Sequence, residues 1–250
     1  MSVAHGVIIV VAGVWAGMIN TIVGSGTLVT FPVLLALGYP PLTANVSNGL
    51  GLVPGSLTGA IGYRRELTGL GGRVARLAVA SVFGALLGAV LLLRLPPAAF
   101  DAVVPVLVGV AVVLVIVQPL LARRLAGRHG AGRTHVGPAL LAGVFGAGVY
   151  GGYFGAAQGV LLLALLGIGL DDDLQRHNAV KNVLATVANL VSGLVFAVKA
   201  PVSWPVVVLI AAGSVLGGLI GARVGRRLSP RVLRAVVVVV GVAAIVQLLR

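Results

Sequence analysis

Residues 17–35 read GMINTIVGSGTLVTFPVLL, and residues 148–166 read GVYGGYFGAAQGVLLLALL. In each stretch an apolar run is cut by a glycine-rich break, GSGT at 24–27 and GAAQG at 155–159, and a new apolar run starts at once. Each break follows an apolar run and opens a short apolar helix, and irregular backbone at membrane depth must line a cavity or be buried in protein. The two stretches align with Gly17 against Gly148 and Gly24 against Gly155, 131 residues apart. Val46, Asn48, Leu50 and Gly59 then match Val180, Asn182, Leu184 and Gly193 at a spacing of 134. Ser81, Val82, Gly84, Gly88, Ala89 and Pro97 match Ser214, Val215, Gly217, Gly221, Ala222 and Pro230 at 133. A spacing that drifts by only three residues over such an ordered series marks an internal repeat.

The rest of the chain is of the same apolar kind. Of 250 residues, 59% are hydrophobic and 23 are charged, and the mean hydropathy is +1.13, which excludes an ordinary soluble chain. Apolar segments cover 5–20, 24–38, 44–63, 74–94 and 99–122 in the first half, and 135–154, 156–170, 178–198, 204–222 and 232–249 in the second. They are too long and too little alternated for membrane strands. The reading is an all-α polytopic membrane protein, with about eight to ten transmembrane segments in two homologous inverted-topology halves with glycine-broken helices. It forms one integral membrane domain: an N-terminal repeat over 1–125 and a C-terminal repeat over 134–250, joined by the basic linker 123–133. The first apolar run continues without a signal-peptidase pattern and reads as a mature helix.

Charge sets the orientation. Thirteen of the 18 basic residues fall in three places: Arg64, Arg65, Arg73 and Arg76; Arg123, Arg124, Arg128 and Arg133; and Arg223, Arg226, Arg227, Arg231 and Arg234. Basic loops stay on the cytoplasmic side, so all three are expected there. The repeat pairs the basic loop at 64–76 with the sparse one at 199–203, and the sparse loop at 94–98 with the basic one at 223–234. Loop charge therefore changes places between the halves, as it does when each half crosses the membrane an odd number of times. A net charge of +13 that lies in short loops speaks for membrane topology and against nucleic acid.

The breaks are the first candidates for a site. Where a helix restarts at membrane depth, its first amides lack partners and carry the positive end of the dipole, which suits the oxygens of an anion. This picks out Gly24, Ser25, Gly26 and Thr27, and Gly155, Ala156 and Gln158. The alternative is that the glycines only permit close helix packing. On the first view, bulky replacement of Gly26 or Gly155 abolishes flux and leaves a folded protein. Asn48 and Asn182 are repeat mates that either donate to an oxyanion or serve as interhelical glue. Lys181 either faces an anion or snorkels to water, and Asn189 reads as packing glue. Asp171, Asp172 and Asp173 read as a solvated helix start. The four histidines are scattered, no Walker motif is present, and zero cysteines exclude thiol chemistry, so catalysis, metal binding and cofactor use find no support.

Beyond the breaks, FPVLLALGYPPLTANVSN at 31–48, NAVKN at 178–182 and SVLGGLIGARVGRRLSP at 214–230 make the chain resemble the TauE/SafE sulfite-exporter family over nearly its whole length. The resemblance implies a membrane transporter of two homologous halves, associated with sulfite and small sulfonates such as sulfoacetate. The chain departs from the usual family pattern at Thr27, at Ala156, Ala157 and Gln158, and at Ser47.

The function expected is a secondary transporter, and an exporter by direction, of a small sulfur-containing anion, working by alternating access in the plasma membrane. A carrier of small organic carboxylates and a non-transporting scaffold subunit are the alternatives. The expected partners are a small anionic substrate and the lipid bilayer, with room for a homo-oligomer. Glu66, Asp101 and Asp171 to Asp173 all fall at or near loops, so no acid is placed to carry a coupled ion. A leaving anion gains about 2.3 kcal/mol per charge per 100 mV, which suffices for export. Accessibility labelling is expected to find positions 64–76, 123–133 and 223–234 all on the cytoplasmic side; a periplasmic result for the last would restore an even number of crossings per half.

Overall fold

The computed structural model describes residues 2–126 and 135–224, with 238, 239 and 242. The described chain is helical and contains no strand: α1 (Val3–Ile22), α2 (Thr27–Ala36), α3 (Pro41–Gly62), α4 (Gly71–Arg94), α5 (Pro97–Ala126), α6 (Pro138–Tyr153), α7 (Gln158–Gly169), α8 (Leu174–Lys199) and α9 (Trp204–Val224). Most of the expected segment 232–249, residues 127–133 of the expected linker and most of the basic loop at 223–234 lie outside the described residues. Among those described, α1, α4, α5, α8 and α9 contain stretches long and apolar enough to cross a membrane. Their outward faces expose Val7, Phe83, Leu87, Val113 and Val208, which is the arrangement lipid requires. The short helices α2 and α7, of 10 and 12 residues, reach only about 15 and 18 Å against a hydrocarbon core of roughly 30 Å. Neither spans by itself.

Local sequence sets the helix starts. Pro41 and Pro138 occupy the first helical position of α3 and α6, where a missing N–H costs nothing. Asp173 caps α8, its Oδ1 accepting from Arg176 N–H at 2.8 Å. Asp172 departs from the expected solvated run: it is mostly buried and pairs with Arg73 and with Arg176 at 3.3 Å. Arg176 also donates to Thr68 O at 3.4 Å, so this cluster ties the α3–α4 loop to the start of α8.

The halves interleave rather than sit side by side. Helix α9 packs along α1 and α3, and α4 packs along α6 and α8, so the fourth helix of each half lies against the first and third of the other. Each contact maps onto its partner under the repeat. Small residues make these contacts close. A Cβ on Gly17 would lie 2.8 Å from Ser214 Cα, and one on Gly217 would lie 2.9 Å from Met18 N. In the other half a Cβ on Gly84 would lie 3.0 Å from Gly148 Cα, and one on Gly88 2.8 Å from Tyr153 N. The glycines that revealed the repeat are therefore the ones that let these helix backbones touch. At the centre, Leu50 of α3 lies against Gly193 of α8, while Thr21 is reached by Lys181 and lies against Gly59. So α3 and α8, which are repeat mates, run in opposite directions, consistent with an inverted repeat.

Replacing Gly84 or Gly217 by leucine is expected to cost about 1–3 kcal/mol or more through overpacking. Thermal unfolding in detergent checks this, with Gly109→Leu as the control, since a Cβ there meets nothing within 4 Å.

Candidate functional site

The two breaks fold alike. Val23 N–H donates to Ile19 O at 2.7 Å and Gly24 N–H to the same oxygen at 3.0 Å, with Gly24 at φ +87°. In the second half Phe154 N–H and Gly155 N–H donate to Tyr150 O at 2.9 and 3.1 Å, with Gly155 at φ +78°. All three pairs of positions are 131 residues apart, so the repeat seen in sequence extends to individual hydrogen bonds. Both left-handed positions need glycine, because a Cβ would crowd the neighbouring carbonyl.

The breaks meet backbone to backbone. Gly159 N–H donates to Gly24 O at 3.0 Å, and a Cβ on Gly24 would lie 2.5 Å from Gly159 Cα. Gly26 is packed as tightly, since a Cβ there would lie 2.9 Å from that of Asn20. This changes the expectation for Gly26: a bulky side chain there strikes the end of α1 and attacks the fold as well as any site. Gly155 stands more open, its nearest neighbours being Gly151 O at 3.2 Å and Asn189 Oδ1 at 3.9 Å from an added Cβ. Asn189, read as packing glue, thus borders the second break.

The polar side chains divide into two groups. One group holds helix ends. Lys181 is fully buried, and its Nζ donates to Asn20 O at 3.2 Å and Thr21 O at 3.1 Å. Asn182 Nδ2 donates to Thr21 O at 3.4 Å. The lysine therefore does not snorkel: it sits at the C-terminal, partially negative end of α1, where a cation is favoured. Asn48 Nδ2 donates to Thr27 Oγ1 at 3.1 Å, and Asn48 Oδ1 accepts from Thr30, so this asparagine holds the first turn of α2. Asn45 Nδ2 donates to Tyr153 O at 3.0 Å, which closes the end of α6 from the other half. Asn20 bridges Ser56 at 2.9 Å and Gly26 N–H at 3.5 Å. Asn45 and Ser56 did not stand out in the sequence, although Asn45 precedes Asn48 by one helical turn on the same helix.

The second group is left over. Ser25 Oγ and Gln158 Nε2 are buried and, among the described residues, lack a hydrogen-bond partner, and the N–H groups of Ser25, Ala156 and Ala157 take no backbone partner there. These groups adjoin the Gly24–Gly159 contact, where the N-terminal ends of α2 and α7 converge. Ala157 holds the left-handed region at φ 58° although it is not glycine, and Tyr150 donates to Ala156 O at 2.5 Å. Phe31, Phe100, Tyr153 and Phe154 wall the second break, Phe31 meeting Phe154 edge-on at 5.3 Å. Lys181 has no acidic partner among the described residues. The centre therefore combines a buried cation, two helix starts and unpaired donors, which is chemistry suited to an oxyanion.

Paired broken helices around a buried polar centre, inside an apolar helical bundle, are the architecture of a membrane transporter. A family model described as Sulfite exporter TauE/SafE matches residues 9–248, and the chain belongs to that family. No curated protein and no solved structure matches it.

Ala157→Gly is expected to stabilise the protein by about 1 kcal/mol, because glycine bears left-handed backbone without the Cβ clash. The unfolding temperature should rise. Ala157→Val should lower it, and the reverse order would mean that the backbone there is not strained.

Proposed function

We propose that this protein is a secondary transporter that moves a small sulfur oxyanion, such as sulfite or a small sulfonate, across the plasma membrane by alternating access about the two breaks. It acts as a carrier and not as an enzyme. The observation that carries this reading is the set of buried donors without a partner among the described residues at the junction of the two helix starts, Ser25 Oγ and Gln158 Nε2, together with a buried lysine at the end of α1 that has no acidic partner among those residues. A buried unpaired donor costs about 1–3 kcal/mol, and an unpaired buried cation costs several. A bound oxyanion would offset both terms at once. Lys181, already shared between two carbonyl oxygens of α1, would face the anion while still holding the helix end that borders it.

The break residues are buried, so loading requires the halves to move relative to one another. Interleaved helix pairs joined by glycine contacts suit rigid-body rocking, because flat small-residue seams have few interlocking side chains to unseat. The acidic residues support transport without a coupled ion: Asp172 is bound to arginines at a helix start, and Asp101 is exposed near the start of α5. The membrane potential then favours the outward direction for an anion.

Reconstitution into liposomes with sulfite, sulfoacetate, thiosulfate and acetate tests the proposal. Wild-type protein is expected to give saturable flux of the sulfur anions. Gln158→Leu and Ser25→Ala remove donors that hold nothing else in the structure, so stability should be kept or slightly raised. Each lost hydrogen bond to a charged ligand is worth about 1.5–3 kcal/mol, or roughly 10- to 150-fold in affinity. Unchanged affinity in both variants would move the site elsewhere. Flux of acetate alone would make the chain a carboxylate carrier, and no saturable flux of any anion would favour a scaffold.

A further inference from the structure

Helices α3 and α9 lie side by side and run in the same direction, with Gly51 against Ile210, Gly55 against Ser214 and Gly62 against Ala222. The last pair is small, and beside it lies a cleft of about 420 Å³ lined by Gly62, Arg64, Arg65, Ala222 and Arg223. Three arginines line it, and among the described residues no acidic residue does. Helix α3 ends here, and its C-terminal carbonyls favour a cation: Arg64 donates to Ile61 O at 3.4 Å.

Each helix also brings an exposed apolar row to this cleft. On α3 the row is Leu57 and Ile61, and on α9 it is Leu216, Leu219 and Ile220, all more than two-fifths exposed. Arg223 follows Leu219 by four residues and Ile220 by three, so it ends the α9 row on the same face. Arg64 and Arg65 follow directly on the end of α3. Apolar rows that end in a cationic cleft match a phospholipid in both parts, its phosphate in the cleft and its acyl chains along the helices.

We propose that this cleft binds the headgroup of an anionic phospholipid at the outer seam of α3 and α9. The repeat supplies an internal control. At the corresponding seam of α8 and α4, the positions equivalent to Arg64, Arg65 and Arg223 are Val198, Lys199 and Val90, so two of the three cations are replaced by valine. The arginine-rich cleft lies at the end of α3 that leads into the basic 64–76 loop, the side that loop charge assigns to the cytoplasm, where anionic lipids give the leaflet its negative surface. A free oxyanion would use the arginines and leave the apolar rows without a role; a lipid uses both.

Native mass spectrometry of the full chain in detergent, titrated with phosphatidylglycerol or phosphatidylcholine, tests the site. Wild-type protein should retain phosphatidylglycerol in preference to phosphatidylcholine. The triple variant Arg64→Gln, Arg65→Gln, Arg223→Gln should lose about 100-fold in phosphatidylglycerol affinity, taking roughly fivefold per arginine at a lipid surface. Arg223→Gln alone, a single exposed change, should lose about fivefold and serves if the triple variant folds poorly. Arg94→Gln with Lys199→Gln, on the other side, should change nothing. Equal retention of phosphatidylglycerol by wild type and Arg223→Gln would overturn the proposal, as would displacement of the lipid by inorganic phosphate at comparable concentration, which would make the cleft a site for free anions.

Discussion

A helix that stops inside hydrocarbon leaves carbonyl oxygens at one end and N–H groups at the next start, and no water is at hand to take them. This chain stops and restarts a helix at two buried breaks, after Ile22 and after Tyr153, and groups from elsewhere in the fold satisfy both ends. The remedy comes from the opposite half each time. Lys181 and Asn182 of α8 close the end of α1, Asn45 of α3 closes the end of α6, and Gly24 O takes the N–H of Gly159. Each half thus supplies what the other lacks. The glycine seams of α1 with α9 and of α4 with α6 bring those capping residues within reach.

Two demands compete at the centre. Close packing favours small apolar groups and no charge, and most of the helix contacts obey it. Transport of an oxyanion, as proposed, would demand donors and a cation in the same volume, at a cost in stability when the site is empty. The chain separates the two demands by position: the seams carry the glycines of the repeat, the breaks carry Ser25, Gln158 and the left-handed Ala157, and Lys181 of α8 sits at the end of α1. Strain and unpaired donors are concentrated within a few residues of one another, as expected where binding energy is to be recovered from a ligand.

The repeat explains a further feature, that the two breaks are alike in backbone and unlike in side chains. Equivalent hydrogen bonds close both helix ends at a spacing of 131, yet GSGT in one stands against GAAQ in the other. The backbone motif is fixed by the geometry of stopping and restarting a helix, which admits few solutions. Side chains around it are free to differ, so the polar lining is asymmetric: the buried lysine at 181 has a serine, Ser47, as its repeat mate, and that serine accepts from Ser203 N–H at 2.9 Å instead of reaching a helix end.

Sequence by itself determined the helical membrane class, the repeat, the positions of all nine described helices to within several residues, and the two breaks. These rest on hydropathy, glycine spacing and proline, which act locally and leave a linear trace. It also singled out Lys181, Asn48 and Asn182, since polar residues in apolar runs are conspicuous. Their partners were decided only by the tertiary structure. Whether Lys181 snorkels or caps α1 depends on which helix end lies within 3 Å or so of its ammonium, 160 residues away along the chain. Gly26 looked like a place kept clear for a ligand and is filled by the end of α1, whereas Gly155, alike in sequence, remains partly open. Asn45 and Ser56 gained their roles only when α3 was laid beside α6 and α1. A local pattern states what a segment needs, and only the packed structure shows which distant group meets that need, because hydrogen bonds act over a few ångströms in space and not along the chain.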